Sequence, residues 1–313
     1  MNFTKTMIVA AVMVLATAGQ SLAELKVVTT ISDLARIAEA VGGEDVHVTA
    51  LCPGPRDPHF LPAKPSLARK LANADLLCYN GLELEIGWLP LLLDKARNPR
   101  IKPGAPGDLD CSNSLEHILD VPGGNVDRGM GDIHALGNPH YTLDPGNAVL
   151  IARGMANRMG QLDSKNKAAY TARAQAFADA VSAKQPFWHD QLAEARTKSI
   201  ILYHSHWNYF THWQELKVVG EIENRPGITP SPRHVQSIID KGRDLEDVMI
   251  IAAQWDHQEV AEEVAERIGT ALAVLPGYSG AQKGTENYFD FIDRLCSRVA
   301  EAAARIETVP VKE

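Results

Sequence analysis

Cysteine is scarce in this chain, aromatic residues are few, and no basic cluster interrupts it. The four cysteines, Cys52, Cys78, Cys111 and Cys296, never fall in a C-x-x-C pair. That spacing excludes a zinc ribbon and a thioredoxin-type redox centre. Cys78, in the apolar run Leu76-Leu77-Cys78-Tyr79, and Cys296, on a C-terminal helical stretch, read as buried thiols. Cys52 and Cys111 fall in loop-like contexts, so Cys52–Cys111 is the candidate bridge among three complete pairings. Lys and Arg total 31 against 39 Asp and Glu, a net charge of -8. An acidic chain without a Lys/Arg cluster is a poor partner for nucleic acid or an anionic membrane. Neither an H-E-x-x-H nor a G-x-S-x-G signature is present, so two common hydrolase centres are missing. Beyond the first residues, no apolar run reaches the roughly 20 positions a membrane span needs.

The N-terminus carries the pattern of an export signal. Lys5 supplies a positive start, Met7 to Ala18 is uncharged and apolar, and Ser21-Leu22-Ala23 offers small residues before Glu24. This three-part arrangement predicts a secretory signal peptide over 1–23, cleaved after Ala23. A periplasmic location follows, and with it permission for disulfides.

The mature length suits two domains. Strand candidates are Leu25–Thr30, Val46–Leu51 and Ala74–Tyr79. They alternate with helix candidates Ser32–Val41, Pro65–Ala72 and Trp88–Ala96. From Lys102 to Asn138, Pro, Gly and Asp dominate and the periodicity is lost, apart from an amphipathic insert at Ser114–Leu119. Helix is expected over Pro145–Leu162, with Pro in the first turn, where a missing N–H costs least. A long helical stretch follows over Lys165–Lys198, and Pro186 should kink or break it. Alternation then resumes. Ser199–Tyr203, Leu216–Ile222, Val248–Ala253 and Ala271–Leu275 read as strands, and Val235–Lys241, Gln258–Ile268 and Tyr288–Ile306 as helices. The fold class is α/β: an N-terminal lobe over 24–162, a linking helix over 163–198 and a C-terminal lobe over 199–313. Mainly parallel sheets are expected in both lobes.

Chemistry concentrates in the eleven histidines. His47, His117, His189 and His234 have polar or alternating neighbours and read as surface or satisfied core residues. Three others stand differently. His59 follows the second strand in Arg56-Asp57-Pro58-His59-Phe60. His140 precedes a helix in Asn138-Pro139-His140-Tyr141, and His204 ends the strand Ser199–Tyr203. Ligands of open α/β sheets collect at the carboxyl ends of strands, so these three could share one crevice. Imidazole suits zinc, copper, nickel and iron, whereas manganese prefers carboxylate and water. A ligating imidazole also needs an acceptor on its second nitrogen. Asp57 and Asp144 are the nearest candidates in sequence.

With these residues the chain resembles the zinc- and manganese-binding solute receptors of ABC transporters, the cluster A-I family. The likeness runs through Asp57-Pro58-His59-Phe60, Pro65-Ser66 and Lys70 to Leu76, then Tyr79 to Glu85 and Trp88-Leu89. It continues in Asn138-Pro139-His140-Tyr141 with Leu143-Asp144-Pro145, in His204 to Phe210, and in Pro230-Ser231-Pro232. It therefore covers nearly the whole mature chain. The resemblance implies two lobes joined by one rigid helix, and a metal held between them by His59, His140 and His204. It also implies delivery to a membrane permease by a carrier that is not an enzyme. His206 competes with His204 for the third place, but the five-residue spacing from His204 to Tyr209 favours His204. By ligand type the expected cargo is zinc ahead of manganese, and a monomer suffices.

Two departures from the family stand out. The loop over Val126–Ala135 holds only Asp127, Asp132 and His134, too few for a metal-scavenging arm. Where many members carry an acidic fourth ligand, the chain reads Leu275-Pro276-Gly277-Tyr278. The fourth position then falls to water or to Gln254, Asp256 or His257, with Asp256 preferred as ligand but better explained as the N-cap of the helix that follows. A zinc hydrolase and an exported metal chaperone without a transporter are the alternatives from other classes.

Overall fold

The computed structural model describes residues 24–124, 134–225 and 227–306. The expected signal peptide, and the loop over 126–133 with Asp127 and Asp132, lie outside them.

Two four-stranded parallel sheets carry the fold. The first is built from β1 (Leu25–Thr29), β2 (Val46–Ala50), β3 (Leu76–Tyr79) and β4 (Asp108–Asp110), in the order β2-β1-β3-β4. The second uses β5 (Ser199–Leu202), β6 (Lys217–Glu221), β7 (Val248–Ala253) and β8 (Ala271–Leu275), in the matching order β6-β5-β7-β8. Strands buried on both faces must be apolar throughout. Val248-Met249-Ile250-Ile251-Ala252-Ala253 meets that demand with all six residues buried. In each sheet the first strand lies between the two that follow it in sequence, and this reversal of strand order opens a crevice at the carboxyl edge.

Helices α1 (Ser32–Gly42), α2 (Pro65–Ala72) and α3 (Leu89–Ala96) serve the first sheet. Helices α4 (Pro145–Leu162) and α5 (Lys167–Gln191) run between the sheets in sequence. After them come α6 (Asn208–Trp213), α7 (Pro232–Arg243), α8 (Gln258–Ile268) and α9 (Tyr288–Ile306). The largest apolar cluster includes Val27, Leu34, Met155, Phe177, Ile251 and Leu295. It therefore joins both sheets to α1, α4, α5 and α9. Two smaller clusters line the outer faces, one around Leu77, Leu71 and Leu92, the other around Ile250, Ile239 and Val264. Among the described residues no helix is long and apolar enough to cross a membrane.

Several expectations are corrected. The edge strand β4 lies inside the stretch expected to be loop, because three residues reading Asp-Leu-Asp show no apolar run. Helix α6 was not foreseen. Helix α5 stops at Gln191, short of Lys198. Pro186 sits within it without ending it, on its exposed side. All four cysteines are free thiols. Cys52 belongs to the outer cluster of the first sheet and Cys111 to the inner one, so the sheet separates the two and the Cys52–Cys111 bridge does not form.

Candidate metal centre

The carboxyl edges of the two sheets face each other, and the histidines arrive there from separate loops. After β2 a single 3-10 turn, Pro58–Phe60, presents His59. Asp57 caps that turn. Its Oδ1 accepts from the His59 backbone N–H at 2.9 Å and from His59 Nδ1 at 2.7 Å. One carboxylate thus sets both the backbone and the ring, leaving Nε2 to meet His134 Nε2 at 3.1 Å. Trp88 Nε1 donates to the Pro58 carbonyl at 2.7 Å and ties the turn to the first lobe.

His140 is held still more firmly. Asn138 Oδ1 accepts from the His140 N–H at 2.9 Å, while Asn138 Nδ2 donates to the Ser205 carbonyl at 2.8 Å. Asn80, at the end of β3, donates to the Pro139 carbonyl at 2.8 Å. The His140 ring meets the Tyr278 hydroxyl through Nδ1 at 3.1 Å, and its buried Nε2 has no partner. Buried polar nitrogens are rarely left unpaired, so this orphan points to a ligand.

His204 leaves β5 and turns its Nδ1 to Glu223 Oε2 at 2.6 Å. Glu223 follows β6, and its N–H bonds the Tyr203 carbonyl at 2.8 Å. His206 lies beside His140, ring centres 4.2 Å apart, but its Nε2 is engaged by the Gly277 carbonyl at 3.2 Å. Gly277 is required there: a Cβ would stand 1.6 Å from the Trp255 ring.

The structure brings His59, His140 and His204 together. Ring centres are 5.2 Å apart for His59–His140, 6.2 Å for His59–His204 and 5.9 Å for His140–His204. Imidazoles around a tetrahedral zinc, with Zn–N near 2.0–2.1 Å, place their centres about 5 Å apart. The observed spacings reach or slightly exceed that value. Accordingly, no three His, Cys, Asp or Glu side chains among the described residues are drawn tightly enough to hold an ion as placed. The three rings border two cavities, of about 330 and 210 Å³, which both include His204. Asp57, Glu223 and Asp256 line the larger one.

The electrostatics sort the rings. Burial holds His140 well below the ordinary imidazole range, helped by the neighbouring rings of His206, His59, His204 and His134. Burial likewise brings His206 to about 3. For His204 burial pulls the same way, yet the Glu223 hydrogen bond and charge, with Asp256 and Asp57 behind them, raise it above the usual value. Burial lifts Asp256 to about 7. The cluster is therefore rich in neutral imidazole, the form that binds metal.

Some assignments move. Asp144 does not support His140; its Oδ1 accepts from Gly146 N at 2.7 Å and caps α4, and Tyr278 takes the place by His140. Asp256 does not cap α8, where the N-cap is His257 with no side-chain bond. Its Oδ2 accepts from the Ala253 N–H instead, at 2.6 Å. Glu223 and Tyr278 had no signal in sequence, because their contacts span 19 and 138 residues. His134 also enters the cluster, with Nε2 3.1 Å from His59 Nε2.

A family model described as the periplasmic zinc-uptake complex component A matches residues 27–302. The chain belongs to that family. A manganese ABC transporter substrate-binding lipoprotein, PsaA of Streptococcus pneumoniae serotype 4, is 25% identical over 92% of this chain and 91% of its own length. The zinc-binding lipoprotein AdcA of the same organism is 23% identical over 87% of this chain and 54% of its own length. A solved zinc-bound deletion mutant of ZnuA superposes with a TM-score of 0.73 at 21% identity, covering 90% of this chain and 98% of that one. This zinc-uptake component A family member is thus a metal-binding substrate-binding protein of ABC transporter type, a carrier and not an enzyme. Its relatives are exported, so its place is outside the cytoplasm.

Proposed function

We propose that this protein captures zinc, in preference to manganese, between its two lobes and delivers it to the permease of an ABC transporter. His59, His140 and His204 hold the ion through Nε2. Asp57, Tyr278 and Glu223 hold the opposite nitrogens, as outer partners do around bound metals. The protein works in the periplasm as a monomer, after loss of residues 1–23, and needs no nucleic acid. The lobes are 24–162 and 199–313, with 163–198 between them. One observation carries the reading: the buried, unpartnered Nε2 of His140 stands among rings whose Nδ1 atoms are already engaged. Three imidazoles favour zinc, because manganese prefers oxygen ligands. The relatives bind one metal or the other, so the donor set of this chain carries the preference.

Calorimetry on metal-stripped protein tests it. Zinc should bind tightly and displace manganese, and His204→Ala should weaken zinc at least 100-fold. Retention of wild-type zinc affinity by that variant would remove His204 from the site.

A further inference from the structure

The three histidines leave a tetrahedral ion one ligand short, and the acidic residue that could fill the gap is engaged elsewhere. Asp256 spends Oδ2 on the Ala253 N–H. On the opposite side of the cluster stands His134. Its Nε2 lies 3.1 Å from His59 Nε2. Two nitrogens bound to one tetrahedral zinc are separated by about 3.3 Å, given Zn–N near 2.0–2.1 Å. Its ring centre is 5.2 Å from that of His59 and 6.5 Å from that of His140. His134, His140 and His204 border the same cavity of about 210 Å³. The His59 ring lies 5.2 Å from His134, 5.2 Å from His140 and 6.2 Å from His204, so it is a neighbour of all three.

His134 is also anchored as a ligand needs to be. Its ring hydrogen-bonds the Leu82 carbonyl, and the next residue, Ala135, donates its N–H to Glu83 Oε2 at 3.0 Å. Both anchors belong to Gly81-Leu82-Glu83, three successive residues with φ of 76°, 50° and 65°. Left-handed backbone is uncommon for Leu and Glu. Glu85 holds this run by accepting the Asn80 and Gly81 N–H groups at 2.7 and 3.1 Å. The unusual backbone turns the Leu82 carbonyl and the Glu83 side chain toward the stretch that bears His134.

We propose that His134 is the fourth metal ligand, completing a site of four imidazoles whose preferred cargo is zinc. The inference rests on the three-histidine reading above and sharpens its metal preference. An all-imidazole tetrahedron offers manganese no carboxylate, and manganese favours more oxygen ligands and higher coordination.

X-ray absorption on the zinc-loaded full chain counts imidazoles directly, and calorimetry with zinc or manganese alone gives affinities. Wild type should show four imidazoles. His134→Gln should show three, with zinc affinity reduced ten- to a hundredfold and an unchanged metal-free melting temperature. His134→Asp should narrow the zinc-over-manganese ratio at least tenfold. Three imidazoles in wild type, or an unchanged count and affinity in His134→Gln, would overturn His134 as ligand while leaving the three-histidine site in place. Loss of zinc in Asp256→Asn with none in His134→Gln would overturn it in favour of Asp256. Failure of wild type to bind either metal would overturn the underlying reading as well.

Discussion

A single proton separates the rings of this site. His140 is kept neutral by burial and by its histidine neighbours, so it meets a metal without giving up a proton. His204 is the opposite case. Burial opposes its charge, but Glu223 at 2.6 Å, with Asp256 and Asp57 behind it, raises its pKa overall. Metal-free protein therefore holds the His204 proton to higher pH than an ordinary imidazole would, and a metal must displace it. The sign follows. Capture weakens as pH falls below the raised His204 pKa, by up to about tenfold per pH unit for one displaced proton. Zinc titrations between pH 8 and pH 6 should show that decline, and a buffer-dependent heat should report the released proton. A flat affinity over this range would remove His204 from proton competition. At the same scale, the three rings that the structure brings together, His59, His140 and His204, are legible in sequence because each stands beside a strand end or helix start. Asp57 is legible by adjacency. The contact of His134 with His59 is not legible there, because the composition of a loop does not show where one of its residues is placed.

Among the elements, those with long apolar runs or clear caps were legible. Strands β7 and β8 and helices α2, α4, α8 and α9 have the bounds expected from their patterns. Strand β4 and helix α6 were not, because three and six residues are too short to show a period. The partners that orient the rings were hidden for another reason: Glu223 reaches His204 only once β6 lies beside β5. Asp33 shows how elements distant in sequence are tied. It lies buried in the first turn of α1, accepting from the Ser279 N–H at 2.7 Å and from the Thr142 hydroxyl at 2.9 Å. One carboxyl thus joins the first lobe, the stretch after His140 and the loop after β8. Burial raises its pKa from 3.8 to about 6. The stability this group contributes is fully present below about pH 3.8 and is lost as pH rises through about 6. The swing is on the order of 3 kcal/mol. Asn keeps an acceptor for Ser279 and does not titrate. Metal-free Asp33→Asn should therefore lose less stability than wild type between pH 4.5 and pH 7 in thermal melts. Parallel declines in both proteins would show that Asp33 is not the group responsible.

For the molecule as a whole, two sheets of identical strand order present their carboxyl edges to one cleft. The apolar core continues from one sheet to the other through α1, α4, α5 and α9. The loop of Gly54 packs so closely on the second lobe that a Cβ there would stand 2.3 Å from the Ser279 carbonyl. Such a frame restricts closure to small shifts, and small shifts suffice. The ring centres exceed the spacing of a bound zinc by roughly 1 Å at most among His59, His140 and His204. The most direct test is anomalous diffraction at the zinc edge from crystals of the zinc-loaded protein. The account predicts one strong peak in the cleft, within about 2.0–2.1 Å of Nε2 of His59, His140 and His204. A peak elsewhere, or none in the cleft at full zinc loading, would contradict it.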